Sequence, residues 1–135
     1  MPHSPFFIGT RTTRERATRL GVARIAVGGL TFQPMALGRR LMGVSDAEAG
    51  GALVFFARAF GVRNMVLGAW VLATRDQSRE TRQLVYRVNA AVDAADMLVL
   101  LWAALANNIP KRLFALAAGL GGNACYAFFE LASEV

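Results

Sequence analysis

The sequence has one cysteine and one histidine, Cys125 and His3, among its 135 residues. A lone cysteine forms no disulfide within the chain, and these two side chains alone make no Cys/His metal site, so disulfide scaffolds and small zinc domains are excluded. The same shortage disfavours haem held by histidines inside a membrane. No G-x-x-x-x-G-K-S/T phosphate loop occurs either. We therefore predict neither a metal site nor a cofactor.

Charged residues are also scarce, at 18% of the chain against 55% hydrophobic residues. Soluble domains carry roughly 25% charged residues, and disordered chains are far less apolar than this one. The length is that of one ordinary domain. The net charge of +6 fits either a nucleic-acid binder or a protein among anionic lipids. A mean hydropathy of +0.38 favours lipid, so we predict no nucleic-acid partner.

No stretch alternates apolar and polar residues with the period of a strand, and the apolar residues instead fall in four blocks. Pro34, the charged stretch 75–82 and the pair Asn107-Asn108 separate the blocks, and a capping pattern at 45–48 begins the second one. These signals predict an all-α fold, an antiparallel four-helix bundle. Its helices are expected at about 17–33, 46–74, 79–106 and 110–133.

The choice between water and lipid around the bundle depends on the third and fourth helices. No uncharged run reaches 18 residues, and the longest is 113–129. The stretch 97–105 nevertheless has no polar side, and a helix apolar all round is either a membrane span or the centre of a large protein. Because a chain of this length cannot bury several such helices, we predict that 17–135 is a transmembrane bundle in the lipid bilayer. The alternative is an obligate soluble oligomer.

The segment 1–16 is basic, and its short apolar part, 6–8, is unlike a secretory signal. It is either an element that lies along an anionic membrane surface or a solvated tail. Eight basic residues lie near the N-terminus and the second connection, against four near the first and third connections. The positive-inside bias therefore predicts a multi-pass protein with both termini in the cytoplasm.

Ionisable residues inside the predicted spans are the candidate functional residues, because each costs roughly 2.5–3.5 kcal/mol at a helix centre unless it is paired or hydrated. Two residues equally far from a turn lie at equal depth in a hairpin. This rule places Arg63 level with Asp93, Arg58 within a step of Asp96, and Arg24 level with Asn64. It also brings Asn123 and Tyr126 to the depths of Asp96 and Asp93. We therefore expect all four helices to contribute to one polar layer.

Helical spacing divides these residues into faces. Asn89, Asp93 and Asp96 form one stripe, as do Asn123, Tyr126 and Glu130, and we expect both stripes to face inward. Arg58 and Arg63 point about 140° apart, so only one of them faces the bundle axis. Arg63 is nearer the middle of its span and is the expected partner of Asp93. Arg58 is expected to reach Asp96 from the side or to extend toward the membrane surface.

The polar layer has two interpretations. In the first, the Arg–carboxylate pairs only fix which helix lies where. In the second, they form a pocket that binds a lipophilic molecule or moves a proton. The leading prediction is a non-enzymatic accessory or lipophile-binding protein, with a homo-oligomer or another membrane protein as a further partner. Its ligand-binding residues would be Arg24, Arg58, Arg63, Asn64, Asn89, Asn123, Tyr126 and Glu130. The alternative is an isomerase or cyclase that uses Asp93 or Asp96 as a general acid.

The stretch 58–68, with its R-x-x-G-x-R-x-x-x-x-G pattern, and the D-x-x-D of Asp93 and Asp96 resemble a known signature. The signature is that of a bacterial family of small four-helix membrane proteins catalogued as a domain of unknown function, and the likeness covers about 17–130. A looser similarity exists to the DoxX-like four-helix proteins. Asn64 stands where the family pattern has an acidic residue. The resemblance implies a four-helix fold in the bacterial cytoplasmic membrane and no particular reaction.

Overall fold

The computed structural model describes residues 4–32 and 50–135, and for residues 52 and 53 the backbone alone. Over these residues the chain forms four α-helices and no strand. The helices are α1 Thr13–Phe32, α2 Gly51–Thr74, α3 Arg79–Leu105 and α4 Lys111–Glu134, with a 3₁₀ turn, Pro5–Phe7, before α1. The predicted all-α four-helix bundle is confirmed. The predicted start of the second helix at 46, its capping pattern at 45–48 and the first connection lie outside the described residues.

A capping box begins α1. The Thr12 hydroxyl accepts from the amide of Glu15 at 3.2 Å, and the Glu15 carboxylate accepts in return from the amide of Thr12 at 3.3 Å. Both otherwise unpaired amides are thereby satisfied. For this reason α1 begins at Thr13, four residues before the expected start, and includes residues that the basic composition had assigned to the N-terminal segment.

The ends of α3 follow the predicted signals. The Ser78 hydroxyl accepts from the amide of Thr81 at 3.3 Å and caps the start of the helix. Asn107 has a φ of 54°, in the left-handed region that commonly ends a helix, so the predicted stop at Asn107 is confirmed. Pro110 lies at the N-cap of α4, one position before its expected place inside the helix.

The backbones of α1 and α2 approach so closely that only glycine fits at two heights. A Cβ atom on Gly28 would lie 2.6 Å from the carbonyl oxygen of Gly61, and one on Gly68 would lie 2.6 Å from that of Gly21. Small residues allow this kind of contact between helices in membranes. Because the two contacts run in opposite order along the helices, α1 and α2 are antiparallel.

The packing of α3 on α4 combines side-chain hydrogen bonds with one glycine contact, since a Cβ atom on Gly121 would meet Cε of Met97. The Cys125 thiol donates to the carbonyl of Ala90 at 3.4 Å, and the Gln83 amide donates to the carbonyl of Ala132 at 3.3 Å. These contacts also run in opposite order, so α3 and α4 form a second antiparallel pair. Cys125 has a packing role between the helices.

The buried core lies at the end of the bundle where residues 4 and 135 meet. Its larger apolar members are Phe7, Leu20, Val71, Val85, Tyr86, Phe128 and Leu131. By contrast, no residue from 94 to 126 is buried. The bundle is therefore tightly packed at one end and open over the distal halves of α3 and α4.

The N-terminal segment belongs to the packed end. Phe7 is buried, the Ser4 amide donates to the Glu130 carboxylate at 3.1 Å, and the Arg16 guanidinium lies 5.0 Å from the centre of the Phe7 ring. Over residues 4–7, the solvated-tail interpretation is therefore wrong.

Three of the described helices contain stretches long and apolar enough to cross a membrane: Val54–Thr74, Arg79–Leu105 and Lys111–Glu134. As far as α1 is described, it carries five charged residues in its 20 and is not among them. The distal half of α3 exposes large apolar side chains, including Trp102 at 76% exposure. Length, composition and this exposed surface together indicate a membrane protein.

Candidate functional site

A buried ion pair joins α1 to α3. Both terminal nitrogens of Arg24 donate to the carboxylate of Asp93, at 2.9 and 2.6 Å, so the contact is bidentate. The two side chains are only 5% and 8% exposed. The Arg24 guanidinium also lies 5.3 Å from the centre of the Phe128 ring on α4, a cation–π distance. Three helices therefore meet at Arg24.

A second bidentate pair joins α2 to α3, about one helical turn away along α3. The Arg63 guanidinium donates to both oxygens of Asp96, and one of these bonds measures 2.8 Å. This pair is less enclosed, because the side chains are 38% and 29% exposed. The ring of Phe60, one turn earlier on α2, lies 4.9 Å from the Arg63 guanidinium. The second pair therefore lies open among apolar groups.

The predicted pairing of Arg63 with Asp93 is wrong, since Asp93 pairs with Arg24 and Arg63 with Asp96. The depth rule compares backbone positions in helices that are neighbours in sequence. The rule omits the length of the arginine side chain. Residues three apart on a helix differ in height by about 4.5 Å, and an arginine side chain spans that distance, so it can reach either aspartate. It also omits α1, which lies against α3 at this height. The inward stripe of Asn89, Asp93 and Asp96 is confirmed, with Asp96 half-buried.

Two buried amides complete the layer. The glycine contacts place Arg24 at the height of Asn64, as predicted. Asn64 and Asn89 each donate to a carbonyl of their own helix, that of Phe60 and that of Val85, both at 2.9 Å. Oδ1 of Asn89 and the Nε atoms of Arg24 and Arg63 are buried and have no hydrogen-bond partner within the described parts of the chain. These three atoms are enclosed, so the accessible polar groups of the layer are those of Arg63 and Asp96.

The predicted inward stripe on α4 is wrong for two of its three members. Asn123 is exposed and donates to the carbonyl of Gly119 in its own helix at 2.7 Å, and Tyr126 is exposed as well. Ala127, Phe128 and Leu131 occupy the buried face instead. Spacing shows which residues share a face but does not show which face is turned inward.

Glu130 and Arg58 lie away from the layer. The Glu130 carboxylate accepts from the Ser4 amide and lies 4.0 Å from Arg16, at the packed end. Arg58 is exposed on α2, with its guanidinium 5.9 Å from the centre of the Phe32 ring. The predicted approach of Arg58 to Asp96 is therefore wrong, because the Arg58 guanidinium lies beside Phe32 and Asp96 is paired with Arg63.

The cluster of Arg16, Glu130 and Glu134 was not expected from the sequence. Arg16 is paired with Glu134 and lies near Glu130, and both of its pairings link α1 to the end of α4. The sequence shows part of this cluster, since Glu130 and Glu134 are one helical turn apart and therefore lie on the same face of α4. Only the close approach of the two chain ends identifies their partner.

The chemistry open to the layer follows from its hydrogen bonds. Both oxygens of Asp93 and of Asp96 accept from a guanidinium, so neither carboxyl is placed to give a proton while the pairs persist. Within the described ranges, no three or more His, Cys, Asp and Glu side chains are grouped so as to hold a metal ion. The chemistry that remains open to the layer is hydrogen bonding of another molecule to the Arg63–Asp96 pair, which is about one third exposed.

Comparisons with protein-family models, with curated proteins and with solved structures find no match to this chain. The resemblance to the four-helix family of unknown function, and the looser one to the DoxX-like proteins, therefore stay predictions.

Proposed function

We propose that this chain is a non-enzymatic, multi-pass protein of the bacterial cytoplasmic membrane, which binds a lipophilic molecule through the Arg63–Asp96 pair. One observation carries the binding function. A bidentate ion pair lies about one third exposed within two helices that are long and apolar enough to cross a membrane. The two charges neutralise one another, but the parts of both side chains that face outward lose their hydration in lipid unless a polar molecule contacts them.

The membrane location has two supports. Three helices have the length and composition of membrane spans, and their distal halves expose apolar side chains rather than burying them. Trp70 and Trp102 lie near the ends of α2 and α3, at opposite ends of the bundle, where tryptophan is enriched in membrane proteins.

The orientation rests on loop charge. The N-terminal segment, the loop 75–78 and the C-terminus lie at one end, since Arg14 pairs with Asp76 and Arg79 donates to the carbonyl of Val135. That end also carries the larger number of basic residues near the spans. By the positive-inside bias it faces the cytoplasm.

The exposed pair selects a particular ligand chemistry. Arginine offers only donors and an ionised carboxylate only acceptors. A hydroxyl group satisfies both, because it accepts from Arg63 and donates to Asp96, and a carbonyl oxygen satisfies Arg63 alone. The pair has no net charge, so a neutral headgroup is preferred. The proposed ligand class is therefore a long-chain alcohol or another neutral lipid with a hydroxyl or carbonyl oxygen.

The alternative, an isomerase or cyclase acid, is less well supported. A general acid needs a carboxyl oxygen that holds a proton and points at the substrate. Asp93 is buried against Arg24, and Asp96 is bound through both oxygens to Arg63. Binding without chemistry needs no opening of either pair.

The test compares two probes that differ in one oxygen, oleyl alcohol and (Z)-9-octadecene, on the full chain in detergent. Oleyl alcohol is expected to raise the midpoint of thermal unfolding and to remain bound in native mass spectra, whereas (Z)-9-octadecene does neither. Saturation at about 100 times the dissociation constant corresponds to about 2.7 kcal/mol of stabilisation.

Two variants make the test specific to the pair. Arg63→Gln is expected to abolish the shift, and Arg58→Gln, the same change on the exposed side of the same helix, is expected to keep it. The double variant Arg63→Met/Asp96→Leu covers the case in which Arg63→Gln does not fold. Equal binding of both probes, or a shift that survives in the double variant, would overturn the binding function. A dimer that covers the pair and excludes both probes would overturn it in favour of a second copy of the chain.

A further inference from the structure

A groove of about 850 Å³ runs along the outer side of α1 at the packed end. Its polar rim carries Arg11, Arg14 and Arg19, and its floor reaches Val22 and Ala23. It lies on a different side of α1 from the buried face of Arg24. The groove is therefore separate from the Arg63–Asp96 pair.

The walls of the groove are held in place by local bonds. Gly9 has a φ of 78°, which allows the chain to turn back toward α1. The hydroxyl of Thr10 donates to the carbonyl of Phe7 at 2.7 Å, and the Arg19 guanidinium donates to the carbonyls of Phe6 and Ile8. Since Phe7 is buried in the core, the segment 4–10 is anchored beside the helix.

The rim is cationic in spite of its one acidic member, Glu15. The Glu15 carboxylate accepts from the amides of Arg11 and Thr12, at 2.7 and 3.3 Å, which commits it to the helix cap. Arg14 pairs with Asp76 on the loop after α2, but both side chains are more than half exposed. A surface pair of this kind contributes little, so Arg14 can exchange Asp76 for another anion at little cost.

The exposed face of α1 changes from basic to apolar along its length. Arg14 and Arg19 come first, with Arg11 just before the helix, and the exposed residues Val22 and Leu30 follow. From Arg19 to Leu30 the rise is about 16 Å, close to half of the roughly 30 Å hydrocarbon core of a bilayer. A phosphate at the rim and an acyl chain along this face would thus match the height of one leaflet.

We propose that the groove of Arg11, Arg14 and Arg19 binds the headgroup phosphate of an anionic phospholipid in the cytoplasmic leaflet, with one acyl chain along Val22 and Leu30. The occupant follows from charge complementarity and from the basic-to-apolar order of the face. This site rests on the proposed membrane location and is independent of the lipophile site. It anchors α1, the helix whose composition is the least suited to lipid.

The test uses the full chain in nanodiscs of phosphatidylcholine alone or with 30% phosphatidylglycerol, roughly the anionic share at which surface charge effects are strong. Lipids retained by the protein are counted by native mass spectrometry. Phosphatidylglycerol is expected to be retained selectively. For Arg11→Gln/Arg14→Gln, retention is expected to weaken about 25-fold, because each basic residue near an anionic surface contributes about a factor of five. Arg19 is kept, since it also holds the N-terminal segment.

The matched control is Arg82→Gln/Arg87→Gln, which removes two charges from α3, toward the same end of the bundle but outside the groove. It is expected to retain phosphatidylglycerol as the unaltered chain does. Equal loss in both double variants, equal retention of phosphatidylcholine, or displacement of the lipid by millimolar inorganic phosphate would overturn the headgroup site. Recovery of the chain in buffer without detergent would instead overturn the membrane location, so the two failures are distinguishable.

Discussion

The two ion pairs of the central layer have the same chemistry and different surroundings. Arg24–Asp93 is enclosed by three helices, whereas Arg63–Asp96 is about one third exposed on the side of α2 and α3. Removing one partner from an enclosed pair leaves a charge that nothing compensates, but at an exposed pair other molecules can take its place. This difference is the reason for proposing a structural role for the enclosed pair and a binding role for the exposed pair.

The largest expected effect is the difference between two equivalent substitutions. Asp93→Asn is expected to lower the free energy of unfolding by about 3–5 kcal/mol, because Arg24 stays buried without a counter-charge. Asp96→Asn is expected to cost less than that, because the Arg63 side chain is 38% exposed and water or detergent headgroups can still reach it. Unfolding of both variants in the same detergent measures the difference. Equal costs would remove the structural distinction between the pairs.

The next effect concerns the contact that holds α1, and with it Arg24, against α2. Gly28→Ala places a methyl group against the carbonyl of Gly61 and is expected to cost roughly 1–3 kcal/mol. Gly29→Ala is the control, since no atom lies within 4 Å of its Cβ position, and it is expected to stabilise α1 by up to about 1 kcal/mol. The same detergent unfolding gives both values. Effects of the same sign at the two neighbouring glycines would contradict the close packing.

A third experiment replaces each pair by apolar residues. Arg24→Met/Asp93→Leu is expected to lie within about 1 kcal/mol of the unaltered chain, because no buried charge is left unpaired. Arg63→Met/Asp96→Leu is expected to be equally stable but to lose oleyl alcohol binding. If the first double variant also loses the alcohol, the enclosed pair takes part in binding. Calorimetric unfolding with and without the alcohol reports both properties.

The smallest effect is expected at the fully exposed pair, Arg14–Asp76. The hydrogen bond from Arg14 holds the pKa of Asp76 below its ordinary value. The pair therefore stabilises the fold above the pKa of an unfolded aspartate, about 3.9, and this contribution is lost as the pH falls through the lower pKa of the folded state. The difference in stability between the unaltered chain and Asp76→Asn should thus close in acid, and at neutral pH it should shrink with salt. A difference that grows in acid would contradict the assignment.

The sequence was sufficient for the architecture, because the turn and capping signals lie between long apolar blocks. The Ser78 hydroxyl caps the start of α3. Asn107 ends the helix, because asparagine tolerates the left-handed backbone conformation found there. The start of α1 was misplaced because basic composition outweighed the capping box of Thr12 and Glu15. Composition describes the surroundings of a segment, whereas a cap determines where its helix begins.

The candidate site was predictable in its members more than in its pairings. Arg24, Arg63, Asp93 and Asp96 meet in one layer, because ionised groups within apolar helices need partners. Which arginine takes which aspartate depends on the placement of α1 against α3, which no spacing along the chain encodes. The prediction that the polar stripe of α4 faces inward was wrong for a related reason. The apolar face of the helix, with Phe128 and Leu131, is the one buried in the interior.

The separation of the paired charges between the two halves of the chain bears on its biogenesis. Both aspartates of the layer come from α3, and the arginines come from α1 and α2, which are synthesised first. Until α3 is synthesised, Arg24 and Arg63 therefore lack the aspartates that pair with them in the folded chain. Integration should stall at an intermediate and finish when the second hairpin arrives, and a fragment that ends before α3 should be inserted poorly and degraded.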